Sequence, residues 1–320
     1  MEGVFASHKV VGRRLRFIPP DGSLVEVTNR TIQGRFLLRP SRELNELLIG
    51  ILGRAQRLYR VKLHACTVLS NHYHMLISVT SAAQMAQFMA YFQGNLAKEA
   101  GRLHKWRGPF WHRRYQHILV SDEDAAQIGR LRYTLANGCK ENLVASPLDW
   151  PGVNSTRALL ESEQLEGYWI DRTREQHAVL KAKKDRSLFR QPETVSFSPL
   201  PCWMHLQPSV LQQRIRELVT EIEAEALRRH HAEGTQPLGK RNVLRLDPHG
   251  LPLHSKWSPA PMFHCASKQA RYAFREAYDL FCATFRQAAD RLRAGKLPTA
   301  FPAGAFPPPM PLQLPIQAPG

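Results

Sequence analysis

The chain has 320 residues, a formal net charge of +17 at pH 7 and a pI of about 10.1. This length is enough for one large domain with an extension, or for two domains, each with a sizeable core. The positive charge favours a polyanionic partner, nucleic acid first and a membrane surface as the alternative. The sequence contains no apolar run of about 18 residues, and its N-terminus lacks the apolar segment of a signal peptide, so we expect no membrane partner.

Five cysteines are scattered along the chain without a C-x-x-C spacing, at Cys66, Cys139, Cys202, Cys265 and Cys282. An odd number of unclustered cysteines argues against a disulfide framework and against a zinc knuckle. We therefore predict free thiols and a reducing, cytoplasmic environment.

The first half of the chain alternates strands and helices. After a basic, irregular arm (residues 1–20), a strand is predicted at 24–30, and Ser41 precedes a helix with apolar residues at helical spacing. Strands at 61–69 and 72–79 follow, then a helix around 85–103 and a strand at 115–120. This order predicts an α+β fold of the ferredoxin-like, split βαβ type over residues 21–157. Such a fold has a mostly antiparallel sheet with helices on one face.

Two histidines lie at the start of the strand 72–79. Because successive side chains of a strand point to opposite faces, His72 and His74 share one face while Tyr73 and Met75 take the other. Two imidazoles on one face of a rigid element form half of a metal site. The alternative is a pair of hydrogen-bonded histidines with a structural role in a half-buried sheet.

The next predicted helix runs from about Ser121 to Asn137. Ser121 and Asp124 have the spacing of a capping box, and Gly138 is a residue type that commonly ends a helix. At about 100° per residue, one apolar stripe should face the core. That stripe consists of Ile128, Leu131 and Leu135.

Tyr133 and Asn137 lie one turn apart on this helix and point away from the apolar stripe. Taken alone, such a tyrosine is usually just exposed. Together with His72 and His74, another assembly becomes possible, in which the histidines and the Asn137 carbonyl hold a divalent metal beside the Tyr133 hydroxyl.

Several segments closely resemble the HUH single-tyrosine transposases (insertion-sequence-200-like), and the match is best to their REP-associated branch. They are N-H-Y-H-M-L-I at 71–77, G-P-F-W-H-R-R-Y at 108–115 and R-Y-T-L-A-N at 132–137, with L-V at 143–144 and D-W-P at 149–151. The resemblance extends over roughly residues 20–157. One departure is N-G-C-K-E-N at 137–142, where the family usually has proline after the asparagine.

The resemblance implies that His72, His74 and Asn137 bind Mg²⁺ or Mn²⁺ and that Tyr133 is the nucleophile. It implies a transposase that cuts and rejoins hairpin-containing single-stranded DNA through a covalent 5′-phosphotyrosine intermediate. The sequence leaves open whether the protein is a monomer or a homodimer. Two alternatives stay open. One is a domesticated, non-cutting DNA-binding protein on the same fold, such as a repressor or architectural factor. The other is a metal-dependent hydrolase that does not use Tyr133.

The second half of the chain falls outside the resemblance. We predict a charged connector at 158–205, a helical extension at 206–297 with a long helix near 267–294, and a disordered, proline-rich tail at 298–320. The extension either braces the first half or binds DNA. The candidate DNA-binding residues of the whole chain are Arg30, Arg113, Arg114, Arg132, Arg275, Arg286 and Arg293.

Overall fold

The computed structural model describes residues 14–179, 186–253 and 261–306. Within them the strands are β1 (Ser23–Arg30), β2 (Lys62–Val68), β3 (His72–Val79), β4 (Gln116–Val120), β5 (Leu165–Ile170), β6 (Arg190–Val195) and β7 (Phe263–His264). The α-helices are α1 (Arg42–Tyr59), α2 (Ala82–Leu103), α3 (Asp124–Lys140), α4 (Thr156–Glu161), α5 (Arg172–Val179), α6 (Pro208–Glu233), α7 (Lys240–Arg245) and α8 (Lys268–Arg293). Most of the predicted basic arm and of the predicted proline-rich tail lies outside the described residues.

Five strands form one sheet in the order β2-β3-β1-β4-β7. β1 lies antiparallel between β3 and β4, β2 is antiparallel to β3, and β7 joins β4 in parallel. The predicted α+β fold with split βαβ connectivity is therefore confirmed. The two-residue strand β7 was not predicted, because a segment that short has no alternating pattern to detect.

The prediction that helices lie on one face was incomplete, because α1 and α2 cover one face of this sheet and α3 covers the other. Tyr73 and Met75 of β3 pack with α1 and α2 in a first core, as the split βαβ arrangement requires. Leu76 of β3 packs with α3 and α6 in a second core. Because side chains alternate along a strand, His72 and His74 share the face of Leu76, which is the face covered by α3.

The structure corrects both predicted ends of α3. The Ser121 side chain does not cap the helix but donates to Glu123 Oε2 at 2.6 Å, and α3 begins at Asp124. Gly138 does not end the helix, which continues to Lys140. A Cβ at Gly138 would come within 3.0 Å of a Val144 methyl group, so this glycine serves close packing inside the helix. The predicted inward stripe is confirmed, with Leu131 and Leu135 buried and Ile128 partly buried.

The predicted connector contains the two-stranded antiparallel sheet of β5 and β6, which packs on α1. The contact is close because Gly50 of α1 faces the backbone of β5. A Cβ at Gly50 would lie 2.0 Å from the carbonyl carbon and oxygen of Tyr168. Only a residue without a side chain allows α1 and β5 to approach this closely.

The helical extension contacts the sheet domain at two places. α6 packs against α3 and adds Ile215, Leu218 and Ile222 to the second core. α8 confirms the predicted long helix, with Ser267 as its N-cap, and it adds Phe281 and Cys282 to the first core. Among the residues that the structure describes, no helix is both long and apolar enough to cross a membrane.

Candidate active site

His72 and His74 lie side by side under α3. Their ring centroids are 5.3 Å apart and the rings are nearly perpendicular, at 82°. His74 is buried and His72 is half-buried, so packing holds both imidazoles in place. The structure thus places the two predicted histidines together on one face of β3.

Each of these histidines has one ring nitrogen engaged by an oxygen. Nδ1 of His74 lies 2.7 Å from Oε1 of Glu26, and Nδ1 of His72 lies 2.7 Å from Oδ1 of Asn71. The Asn71 amide is oriented by its nitrogen, which donates to the Gly34 carbonyl at 3.0 Å. Because the facing oxygens are acceptors, we assign the proton of each ring to Nδ1, which leaves the Nε2 lone pair free.

The surroundings of His72 keep it neutral. Burial, together with the neighbouring His74, Arg30 and Lys140, lowers the pKa of His72 to about 3. A neutral imidazole is the form that binds a metal ion. His72 therefore has the protonation state that a ligand needs at neutral pH.

Glu26 and Arg130 form a buried ion pair next to His74, and neither was named in the sequence analysis. Glu26 is only 1% exposed, and its Oε2 lies 2.9 Å from Arg130 Nη1, although the N–H groups are not aimed at that oxygen. Arg130 Nη2 also lies 3.3 Å from Nδ1 of His264 in β7. Since a buried carboxylate is costly without an opposite charge, Arg130 is what allows Glu26 to face His74.

Tyr133 is held against the histidine pair. Its ring centroid is 5.4 Å from that of His74, with the rings 75° apart. Two cations contact the same ring: Lys140 Nζ at 4.0 Å and Arg130 Cζ at 4.7 Å from its centroid. These cation–π contacts fix the phenol and surround it with positive charge, which suits an anionic substrate.

Asn137 is buried one turn beyond Tyr133. Its side-chain nitrogen donates to the carbonyls of Tyr133 at 2.8 Å and Thr134 at 3.3 Å. The amide oxygen is therefore the end of the side chain left for a ligand. Asn137 lies on α3 between Tyr133 and Lys140. Tyr133 contacts His74, and the charge of Lys140 lowers the pKa of His72.

The predicted ligands His72, His74 and Asn137 have the donor types that a hard divalent ion would accept. Among the described residues, no cluster of three or more His, Cys, Asp or Glu side chains is suited to hold a metal. Two imidazoles and an amide oxygen leave positions for water and phosphate oxygens, which suits Mg²⁺ or Mn²⁺ better than zinc. The Glu26 carboxylate on His74 Nδ1 is the outer contact that metal-binding histidines usually have.

Tyr133 lines a cleft of about 290 Å³ between α3 and α6, which we call the tyrosine cleft. Its charged and aromatic lining comprises Arg132, Tyr133 and Lys140 from α3 and Glu225 and Arg229 from α6. Cys139 lines it as well, but burial raises the pKa of the Cys139 thiol to about 12. A neutral thiol is a poor nucleophile, so Tyr133 is the better candidate in this cleft.

Three of the predicted DNA-binding arginines lie at the His72 end of the sheet. Arg30 of β1 lies opposite His72 of β3 in the sheet register. Its guanidinium packs against Gly34, where an added Cβ would lie 2.5 Å from Arg30 Nη2. The backbone N–H of His112 donates to the Arg30 carbonyl at 2.9 Å, which brings the exposed Arg113 and Arg114 to the same edge.

The other predicted arginines have acidic partners or lie elsewhere. Arg132 pairs with Glu225 and, at 3.5 Å, with Glu221 of α6. The remaining three are exposed on α8, which packs with the first core and not under α3. They are Arg275, paired with Asp279 at 3.1 Å, Arg293, paired with Asp290, and Arg286. DNA binding by these residues stays a prediction.

One feature of the sequence indicated the buried ion pair of Glu26 and Arg130. Glu26 is an acid inside the otherwise apolar run L-V-E-V of a strand, and such a position calls for a buried partner. Nothing in the sequence identified Arg130 as that partner. His264 could not be found either, because its contact with Arg130 depends on β7 joining the sheet.

One family model and two solved structures are similar to parts of this chain. The family model described as IS200-like transposase matches residues 37–131, which include His72 and His74 and end two residues before Tyr133. No curated protein matches the chain. A solved REP-associated tyrosine transposase bound to a REP hairpin is 14% identical, with a TM-score of 0.37 over 46% of this chain and 83% of that one. A protein from Deinococcus radiodurans R1 assigned as a transposase is 21% identical, with a TM-score of 0.27 over 34% of this chain and 87% of that one.

Proposed function

We propose that this protein cuts and rejoins single-stranded DNA with Tyr133 as its nucleophile, because residues 37–131 match the IS200-like transposase family model. The proposed substrate is a DNA strand that carries a hairpin, as in the REP-associated branch that the sequence resembles. The family match supports a DNA-cleaving transposase. We infer the tyrosine and the metal from the site, and the hairpin from the resemblance of the sequence.

The observation that carries this proposal is the position of Tyr133 against His74, 5.4 Å between ring centroids. The histidines lie within the segment that matches the family, whereas the tyrosine lies outside it on the next helix. Folding brings the two together and adds Lys140 and Arg130 around the phenol. A nucleophile, two metal-competent imidazoles and positive charge in one place suit an attack on a phosphodiester.

The proposed reaction is a transesterification at phosphorus. The Tyr133 oxygen forms a bond to the scissile phosphate, the bond to the 3′ oxygen of the leaving strand breaks, and the phenol proton is exchanged for a proton on the 3′-hydroxyl. The product is a 5′-phosphotyrosine linkage. Because the linkage conserves the phosphoester bond energy, the 3′-hydroxyl of a second strand can reverse the step without ATP.

His72, His74 and the Asn137 oxygen would hold a Mg²⁺ or Mn²⁺ ion. Such an ion, when bound, polarises the phosphate and offsets the charge that develops on its oxygens. Glu26 keeps the Nδ1 proton of His74 in place, so that Nε2 stays the ligating nitrogen. The Arg130 and Lys140 cations hold the phenol ring of Tyr133 in its position beside His74.

A covalent-adduct assay tests the proposal. The protein is incubated with a labelled single-stranded hairpin and Mn²⁺, and a protein–DNA adduct that survives denaturation is expected. Tyr133→Phe removes only the hydroxyl, so the adduct should disappear while folding and DNA binding persist. Tyr59→Phe is the matched control, because Tyr59 packs on the first core away from the histidines. EDTA should abolish the adduct of the wild-type protein.

Three outcomes would contradict the proposal. A Tyr133→Phe variant that still forms the adduct would show that another residue attacks. A wild-type protein that binds the hairpin but releases no product would favour the non-cutting DNA-binding protein. Cleavage that occurs without an adduct and equally in the wild-type protein and the Tyr133→Phe variant would favour a metal-dependent hydrolase.

A further inference from the structure

The helical extension builds one wall of the tyrosine cleft. Arg132, Tyr133 and Lys140 line the cleft from α3, and Ile222, Glu225 and Arg229 line it from α6. The family match ends at residue 131, so α6 lies entirely beyond it. A DNA strand that reaches Tyr133 through this cleft must therefore touch residues that the family comparison does not describe.

Cationic residues from both walls line this small space. Lys140 Nζ lies 4.0 Å from the centroid of the Tyr133 ring, and Arg132 lines the cleft one residue before the tyrosine. From α6, Arg229 donates through Nη2 to the Cys139 carbonyl at 2.6 Å, which fixes its guanidinium against the end of α3. The Nε of Arg229 is buried and has no hydrogen-bond partner among the described residues. Since buried donors are normally paired, a phosphate oxygen at this wall would satisfy this N–H group.

The acids of the cleft are already engaged by Arg132. Glu225 pairs with Arg132, which holds the pKa of Glu225 below its usual range, and Glu221 lies 3.5 Å from the same guanidinium. Glu221 and Glu225 are both more than half exposed. Exposed ion pairs are weak because water screens them, so a phosphate can compete for Arg132. Guanidinium groups bind phosphate in a bidentate manner, which favours that exchange.

We propose that the tyrosine cleft is a phosphate-binding subsite for single-stranded DNA, in which Arg229 of α6, with Arg132 and Lys140, binds the backbone next to the phosphate that Tyr133 attacks. Glu225 opposes this binding, because it occupies Arg132 and adds negative charge to the cleft. The small and apolar residues Gly129, Ala136 and Ala226 leave room for the sugar. The inference rests on the proposed function, since it names where the substrate of that reaction lies.

The test measures DNA affinity in a Tyr133→Phe background, so that no covalent step contributes. A fluorescein-labelled oligothymidylate is titrated at several salt concentrations, and log K is plotted against log salt. Arg229→Gln should weaken binding and flatten the slope by about 0.7 for one lost phosphate contact. Glu225→Gln should act in the opposite direction and tighten binding. The matched control is Arg228→Gln, which removes the same charge from the adjacent, exposed residue outside the cleft lining.

Opposite effects of Arg229→Gln and Glu225→Gln on DNA affinity distinguish a phosphate-binding subsite from a helix that only supports α3. If Arg229→Gln and Arg228→Gln give the same slope, or if Glu225→Gln weakens binding as Arg229→Gln does, the subsite is wrong and α6 only supports α3. Should Arg229→Gln fail to fold, Glu225→Gln decides alone, because it removes only an exposed ion pair. The adduct assay on the wild-type protein is independent of this test. If the wild-type protein forms the adduct but the salt slopes do not change, only the subsite is refuted. If the salt slopes change but the wild-type protein forms no adduct, only the Tyr133 reaction is refuted.

Discussion

The pairing of Glu26 with Arg130 should have a measurable effect on both stability and metal binding. Glu26→Gln keeps an oxygen for the Nδ1–H of His74 but removes the negative charge that lies 2.9 Å from Arg130 Nη1. The Arg130 side chain is 9% exposed and would be left as a buried, uncompensated cation. Breaking a buried pair in this way costs about 3–5 kcal/mol of unfolding free energy.

The double variant Glu26→Gln/Arg130→Met separates the charge from the packing. Removing both charges leaves no uncompensated buried ion, so the main cost of the single variant is absent. We therefore expect the double variant to be more stable than the Glu26→Gln single variant, with a coupling energy of about 2–3 kcal/mol in a double-mutant cycle. Asp279→Asn, which breaks the exposed pair with Arg275, is the control and should cost less than about 1 kcal/mol.

Urea unfolding followed by tryptophan fluorescence measures the stability of each variant, and titration with Mn²⁺ measures metal affinity. Loss of the Glu26 carboxylate that faces His74 Nδ1 should lower the Mn²⁺ affinity by about 10–100-fold. A Glu26→Gln variant that is no less stable than Asp279→Asn would refute the buried pair. Unchanged Mn²⁺ affinity in a folded Glu26→Gln variant would refute the positioning of His74 by Glu26.

Three further predictions concern other parts of the chain. Burial lowers the pKa of His64 to about 4, below its unfolded value near 6.5, so the unfolded state binds more protons between these values. Stability should therefore fall as pH drops through that window, by up to about 1.4 kcal/mol per pH unit from this group, and His64→Gln should flatten urea-unfolding profiles there. Gly50→Ala should destabilise the protein, because the added Cβ would meet the β5 backbone. The control Gly94→Ala, in open space on α2, should stabilise the protein by about 0.5–1 kcal/mol. Equal effects of the two substitutions in thermal melts would contradict the close contact between α1 and β5. Replacing the three α8 arginines by glutamine should flatten the salt dependence of DNA binding without slowing cleavage at saturating DNA, and an unchanged slope would leave α8 as a brace. These residues are Arg275, Arg286 and Arg293.

The sequence alone was sufficient wherever a short-range period decides the outcome. The two-residue period of a strand puts His72 and His74 on one face whatever the neighbours are. The 3.6-residue period of a helix separates Tyr133 from the stripe of Leu131 and Leu135, and it identified α8 from its phenylalanines. These features depend on backbone geometry within a few residues, so the printed order of amino acids contains them.

The ends of α3 show where local rules gave a wrong answer. Ser121 and Gly138 have residue types that often start and end helices, yet Ser121 binds Glu123 and Gly138 lies inside α3. Val144 gives this glycine another role, because its methyl group packs so close to Gly138 that an added Cβ would make a tight contact of 3.0 Å. A chain segment that folds back on a helix is invisible to rules about the helix itself.

Only the tertiary structure could decide which distant residues complete the site. Glu26 meets His74 and Arg130 because β1 lies beside β3 and α3 crosses the sheet above them. His264 reaches Arg130 through the two-residue strand β7, and α6 encloses Tyr133 by packing on α3. The sequence by itself determined the residue types and the faces of the histidine pair and the tyrosine. Their charged surroundings come from contacts between segments far apart in the chain, which depend on strand order and helix packing and not on local periodicity.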